Sequence, residues 1–204
     1  MSARLFPTID ASEPTVLRGY DREDAERLIV RNHYTRSIPS GKSHYVGWRG
    51  AVICWSIPAN NNIGTFLLGR EANVWELSRM WAPDGHERNL LSAMIARAVG
   101  LLRELERPEI LVSYADPNAG HEGRVYRAAS WIYHGQSDEG RVYVAPDGQA
   151  LARRAFHSGN SGMTKAEIEA RGYREIYQPG KHRYVKPLTR LAKRQLQSRM
   201  QGSP

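Results

Sequence analysis

The side chains able to do chemistry crowd into one stretch, Ser113 to Trp131, which reads Ser-Tyr-Ala-Asp-Pro-Asn-Ala-Gly-His-Glu-Gly-Arg-Val-Tyr-Arg-Ala-Ala-Ser-Trp. Around a single turn, Tyr114, Asp116, Asn118, His121 and Tyr126 supply a carboxylate, an amide, an imidazole and two phenols. Such a set suits proton transfer at a bound substrate, or metal ligation. The same residues have a structural reading, in which Asp116-Pro117-Asn118 is turn chemistry and Tyr126 fills a core. Two further candidates lie earlier, the His33-Tyr34 pair and Arg79. Arg79 stands among aromatic neighbours, where an arginine either stacks or binds an anion. The single cysteine, Cys54, sits in the apolar run Val52-Ile53-Cys54-Trp55 and reads as core; one cysteine excludes internal disulfides and cysteine zinc clusters.

These residues need elements to place them. The apolar run Ile110-Leu111-Val112 leads into the turn, and Val125, Ala128 and Ala129 resume beyond it at helical spacing, giving strand, turn, helix. Asp116 then projects from the carboxyl end of a buried strand, where open α/β sheets hold ligands. Upstream, Leu91, Met94, Ile95, Ala98, Leu102 and Leu105 recur at three- and four-residue steps until Pro108, predicting a long helix with Asn89 or Asp84 as its cap and Ser92 in its first turn. With Val74–Trp81 before it as a strand, this is a β-α-β unit whose two strands are neighbours. Alternation places Glu76, Ser78 and Met80 on one face of that strand and Trp75, Leu77, Arg79 and Trp81 on the other. The start of the long helix faces the side of Asp116 and offers backbone N–H groups to a pyrophosphate.

The remaining elements follow the same logic. A first helix begins near Asp21, capped by Asp21 and Asp24, and ends at Asn32-His33-Tyr34. Ser43 to Trp48 and Ala51 to Ile57 form a hairpin about Arg49-Gly50. The loop at Asn60-Asn61-Asn62 and the apolar segment Thr65-Phe66-Leu67-Leu68 come next. Ile132 to Gly135 and Arg141 to Ala145 read as short strands, 146 to 163 as a polar loop, Thr164 to Glu167 as a capping box, and Tyr184-Val185 as part of a last strand. The domain organisation is an N-terminal segment over 1–20, one domain over 21–187, and a basic tail over 188–204.

Composition limits the function classes. The 204 residues are 41% hydrophobic, enough for one domain with a sizeable core, and contain no signal-peptide core and no apolar run of membrane-spanning length, so a soluble cytoplasmic protein is expected. Net charge is +8, and nearly all the excess lies between Lys181 and Pro204, where seven lysines and arginines meet no acid. A polyanion suits such a block, because each neutralised phosphate releases counterions; an acidic protein partner or solubility alone would leave the same composition.

With these residues placed, the sequence resembles the Mom family of phage DNA-modification proteins, on an acetyltransferase fold of the GNAT type. The likeness rests on His33-Tyr34, Glu76-Leu77-Ser78-Arg79-Met80-Trp81, Asn89 to Ser92, Ser113-Tyr114-Ala115-Asp116-Pro117, Tyr126-Arg127-Ala128-Ala129-Ser130-Trp131 and Lys181-His182-Arg183-Tyr184, and spans about residues 20 to 190. It implies an α/β fold, a central mixed sheet flanked by helices with a C-terminal basic extension. It also implies an enzyme that converts adenine in DNA to the N6-carbamoylmethyl form, which evades host restriction. By position, Asp116, Tyr126, Tyr34 and Arg79 would be catalytic; His33, Tyr34, Asp116 and Tyr126 would hold iron; and Arg79, Asn89 and Ser92 would bind acetyl-coenzyme A. The segment Asp84-Gly85-His86-Glu87-Arg88-Asn89 departs from ordinary acetyltransferases in having one glycine and two acids. The expected partner is double-stranded DNA with the adenine flipped out, stacked on Tyr34 or Trp48; a homodimer is allowed for. The alternatives are an N-acetyltransferase of a small amine or protein, and a non-catalytic basic DNA-binding protein.

Overall fold

The computed structural model describes residues 12–148, 150–152, 156 and 162–201; parts of the expected N-terminal segment, of the 146–163 loop and of the tail end lie outside them. Ten strands and six helices follow one another along the described chain. A seven-stranded sheet carries the fold, in the order β1-β2-β3-β4-β5-β10-β6. Its strands are β1 (Thr15–Leu17), β2 (Ser43–Trp48), β3 (Ala51–Ser56), β4 (Val74–Trp81), β5 (Ile110–Ala115), β10 (His182–Pro187) and β6 (Ile132–Gln136). Neighbours are antiparallel except β4 and β5, the strands of the β-α-β unit, which run parallel as expected.

Helices α3 (Leu90–Glu106) and α4 (Arg124–Ala128) cover one face, where Trp55, Trp75, Leu77, Leu111 and Tyr184 meet Leu90, Met94, Ile95, Tyr126 and Trp131. The opposite face has two clusters. Helices α2 (Ile63–Leu68) and α6 (Arg190–Gln201) bury Leu67, Ala192 and Leu196 on Val74, Ile110, Val112 and Val185, while α1 (Gly19–Asn32) buries Ala25, Leu28 and Ile29 on Tyr45, Val52 and Cys54. A smaller sheet, β8-β7-β9, forms a wing from β7 (Gly140–Val144), β8 (Ala150–Ala152) and β9 (Arg174–Gln178). Tyr143 and Ile168 of α5 (Lys165–Ala170) are buried in it, and Phe156 stacks edge-on against Tyr143 and Tyr173.

Several expectations change. The segment 15–17 is a sheet strand, not an appendage. Helix α1 starts at Gly19, and no side chain caps it; Asp24 instead pairs with Arg27. The basic tail, expected as helical or disordered, is helical over Arg190–Gln201, with Ala192 and Leu196 buried. In β4 the register with β3 skips a residue, Cys54 facing Arg79 and Trp55 facing Leu77, so Ser78 bulges. That extra residue reverses the alternation beyond it. Met80 packs with the α3 face, while Arg79 turns to the face of Cys54 and α1, parting company with Leu77 and Trp75.

Candidate active site

Strands β4 and β5 stay in register only as far as Leu77 opposite Ser113. Beyond that point β4 continues beside β3 to Trp81, and β5 continues beside β10 to Ala115, so the two parallel strands part and leave facing edges without each other's ladder bonds. Beside this split, Lys181 and His121 bring together three of the expected residues, Asp116, His33 and Tyr34.

Asp116 follows β5 directly, with an extended backbone, and caps a single 3₁₀ turn over Pro117–Ala119. Its Oδ1 accepts from Asn118 N and Asn118 Nδ2, each at 3.0 Å, and its Oδ2 from Lys181 Nζ at 2.7 Å. The turn reading therefore holds for this residue. Burial alone would push the carboxyl up, but Lys181 and Asn118 outweigh it and hold the group below the usual carboxylate range. An ionised carboxylate held by three donors is a poor proton acceptor and a good positioning group.

Tyr34 lies close by. Lys181 Nζ stands 5.8 Å from its ring centroid, the His33 ring is 4.5 Å away and the His121 ring 5.4 Å. The ring is 40% exposed, unlike Trp48, which is 5% exposed between the guanidinium groups of Arg49 and Arg97 and is thereby lost as a stacking platform. Burial, with the Asp116 charge adding to it, pushes the Tyr34 phenol up to about 12. Tyr126 is 7% exposed, its ring in the α3 core against Trp131 and Tyr184. Burial pushes its phenol up to about 12 as well, Tyr34 and Glu76 acting in the same direction. Ser113 beside it gives its only proton to Leu77 O at 2.7 Å, so toward the phenol it can only accept.

His33 ends α1. Its Nδ1 accepts from Thr35 N at 3.2 Å and lies 2.9 Å from Thr35 Oγ1, which assigns the neutral ring's proton to Nε2. Burial first, then the charges of Arg79, His121 and Lys181, lower its pKa to about 4. Arg79 ties down the loop after α1, donating to Ser37 O at 2.9 Å, Ser37 Oγ at 3.3 Å and its neighbour's Ser78 O at 2.7 Å. At the start of α3, Asn89 occupies the cap position at φ 66° and forms no side-chain cap; Ser92 Oγ donates to Asn89 O at 3.0 Å. The first turn holds no acid, and Glu87 is neutralised by Arg49 at 2.5 Å, so the positive end of the helix is left for an anion.

The donor chemistry of His33, Tyr34, Asp116 and Tyr126 does not fit a metal in this arrangement. The carboxylate is already satisfied by a lysine, and the imidazole's Nδ1 is taken. Among the described residues no three His, Cys, Asp or Glu side chains stand close enough to share a metal ion. Cys54 is buried, its thiol pushed up to about 11 by burial, as befits a core residue. Two hollows, of about 430 Å³ on the wing and about 390 Å³ beside β1 and β2, border none of these site residues.

Three residues of the cluster lay outside the expected set. Glu76 acts on Tyr34, Tyr126 and Tyr114 alike. Lys181 reaches Asp116 because His182 of β10 pairs with Ala115 of β5, a pairing far apart in sequence. His121 was visible in the turn but had no partner until α1 brought Tyr34 to it. Among the described residues no helix is long and apolar enough to cross a membrane. The methylcarbamoylase Mom of Escherichia phage Mu is 27% identical over 188 residues, covering 86% of this chain and 76% of that protein. Residues 15–204, the whole sheet and every residue of the cluster, match the Mom protein family, and the chain belongs to that family.

Proposed function

We propose that the protein modifies adenine in DNA, attaching a carbamoylmethyl group to N6; membership of the Mom family and a relative named methylcarbamoylase support this reading. The observation that carries this reading is Asp116, held by Lys181 and Asn118, beside the exposed Tyr34 ring at the β4–β5 split in a chain of this family. We further propose a GNAT-type sheet; its support is the one parallel pair, the bulge at Ser78 and the parting of those two strands.

Adenine N6 is a weak nucleophile because its lone pair is delocalised into the ring, so its proton must leave as the new bond forms. Asp116, held by Lys181 and Asn118, orients the amino group. Glu76, the carboxylate whose charge reaches Tyr34, Tyr114 and Tyr126, accepts the proton. Tyr126, protonated until about pH 12 and donating to Ser113 Oγ, ties α4 to the end of β5 and so fixes the floor of the site. The exposed Tyr34 ring stacks on the extruded base. Arg79 fixes the loop that carries the His33-Tyr34 pair's flank. Acetyl-coenzyme A bound with its phosphates at the start of α3, beside Asn89 and Ser92, would supply an activated two-carbon unit. Acyl transfer alone gives an N6 amide, whereas the carbamoylmethyl product needs a methylene on N6 and a terminal amide nitrogen.

The test is restriction of plasmid DNA from cells expressing the protein. Endonucleases that read adenine should cut it poorly, and plasmid from cells expressing Asp116→Ala should be cut normally. Full cutting in both cases, with soluble protein present, would reject the reading.

A further inference from the structure

Beside the Asp116–Lys181 pair, on the same face of the sheet, a second cationic feature takes no part in the chemistry above. Arg183 lies two residues along β10 from Lys181, about 7 Å, opposite Tyr114 of β5. It is 9% exposed, and its Nε has no hydrogen-bond partner. Nη1 donates to His134 O at 3.3 Å and approaches His134 Nδ1 at 3.5 Å. The guanidinium stacks 4.6 Å from the Phe66 ring of α2 and 6.0 Å from that of Tyr114. Arg199 of α6 closes the other side, donating from Nε to Phe66 O at 3.2 Å and acting on His134 together with Arg183. Among the described residues no carboxylate lies in ion-pair contact with Arg183.

A guanidinium taken out of water without a counter-ion is costly unless a ligand provides one. The β10–β6 register shifts between His182 and Tyr184, so that His134 and Gly135 of β6 together oppose Arg183. Phe66, 48% exposed, and His134, half-buried, leave the site open at its outer side. A planar fork with two further nitrogen donors nearby matches the oxygens of a phosphate ester.

We infer that Arg183, His134 and Arg199 form a subsite for a backbone phosphodiester of the DNA strand whose base enters the β4–β5 split. The inference rests on the proposed DNA reading for its ligand, and on geometry alone for the anion. Its place one strand step from Asp116 lets the nucleotide bridge the two positions, base at Tyr34 and phosphate at Arg183. Hydrogen bonding then holds the strand in register while the base is worked on.

The test has two arms on the full-length protein. In the first, the His134 imidazole is titrated by NMR with and without dimethyl phosphate. Burial and the Arg183 charge lower its pKa, and an anion in the site should raise it measurably. In the second, binding of a short duplex is measured against salt for the wild type, Arg183→Lys and the surface variant Arg199→Gln. Each variant should bind about tenfold more weakly; Arg199→Gln should also lower the salt slope by about one, while Arg183→Lys, which keeps its charge and loses the fork, should leave the slope nearly unchanged. An unmoved His134 overturns the anion subsite even if the wild type modifies DNA. A moved His134 with both variants binding duplex as tightly as wild type overturns the DNA assignment and leaves a small-phosphate site. If the wild type shifts His134 and binds duplex through Arg183 yet modifies no adenine, the subsite stands and the proposed chemistry fails.

Discussion

Asp116 shows how one side chain serves turn and site together. Its carboxylate caps the 3₁₀ turn through Asn118 and is neutralised by Lys181, so removing the lysine should leave a buried charge without its cation. Because Lys181 is partly exposed, Lys181→Met should cost about 1–2 kcal/mol in urea denaturation at pH 7. A carboxyl held below its unfolded value gives stability that is present above that value and is lost as pH falls, so the penalty of the substitution should shrink in acid. His33 titrates in a different window. Its pKa falls from 6.5 unfolded to about 4 folded, so the unfolded chain binds the extra proton between those values, and stability drops as pH falls through them. Thermal unfolding from pH 7 to 4 should therefore be flatter for His33→Gln than for the wild type; parallel curves would show that the ring is not buried as described.

The split between β4 and β5 depends on elements read with unequal success. The long helix α3, the hairpin β2–β3 and the strand-turn-helix around Asp116 were legible because apolar period, Gly and Pro agree there. The capping box at Thr164 and Glu167 was legible for the same reason and is formed in full. The Ser78 bulge was not: alternation in Val74–Trp81 counts residues, and only pairing with Cys54 and Trp55 reveals that one is extra. The face of Arg79 was misread accordingly. Helix α2 was hidden in the short apolar run Thr65 to Leu68, too brief for period to decide between helix and strand. Close approach of elements was equally invisible. Gly123, at φ 72°, sits under the Tyr184 ring, and a Cβ there would stand 2.1 Å from Tyr184 Cε2. Gly123→Ala should cost about 2–4 kcal/mol, from left-handed backbone and overpacking together. Chemical denaturation checks this; a loss under 1 kcal/mol would mean α4 and β10 can separate at little cost.

At the scale of the molecule, basic charge and stability meet in α6. The composition placed the excess cations in a tail, but Ala192 and Leu196 anchor that segment to the α2 side of the sheet, because its apolar residues are too few to signal a buried face among so many charges. Leu196→Ala should cost about 2–5 kcal/mol in thermal or urea unfolding, so truncation tests folding and not DNA binding. The exposed Lys193 and Arg194 separate the two: changing both to glutamine should leave unfolding within about 0.5 kcal/mol of wild type, while flattening the salt dependence of duplex binding if they meet phosphates. What makes the whole an enzyme in this account is the cluster at the split, Asp116 held by Lys181 beside the exposed Tyr34 ring. The most direct measurement is the mass of the nucleosides in plasmid DNA from cells expressing the wild type or Asp116→Asn at equal soluble levels. The wild type should yield an adenine nucleoside heavier by one carbamoylmethyl group, and the variant about a hundredfold less of it or more. Unmodified adenine from the wild type, or equal modification by the variant, would contradict the account.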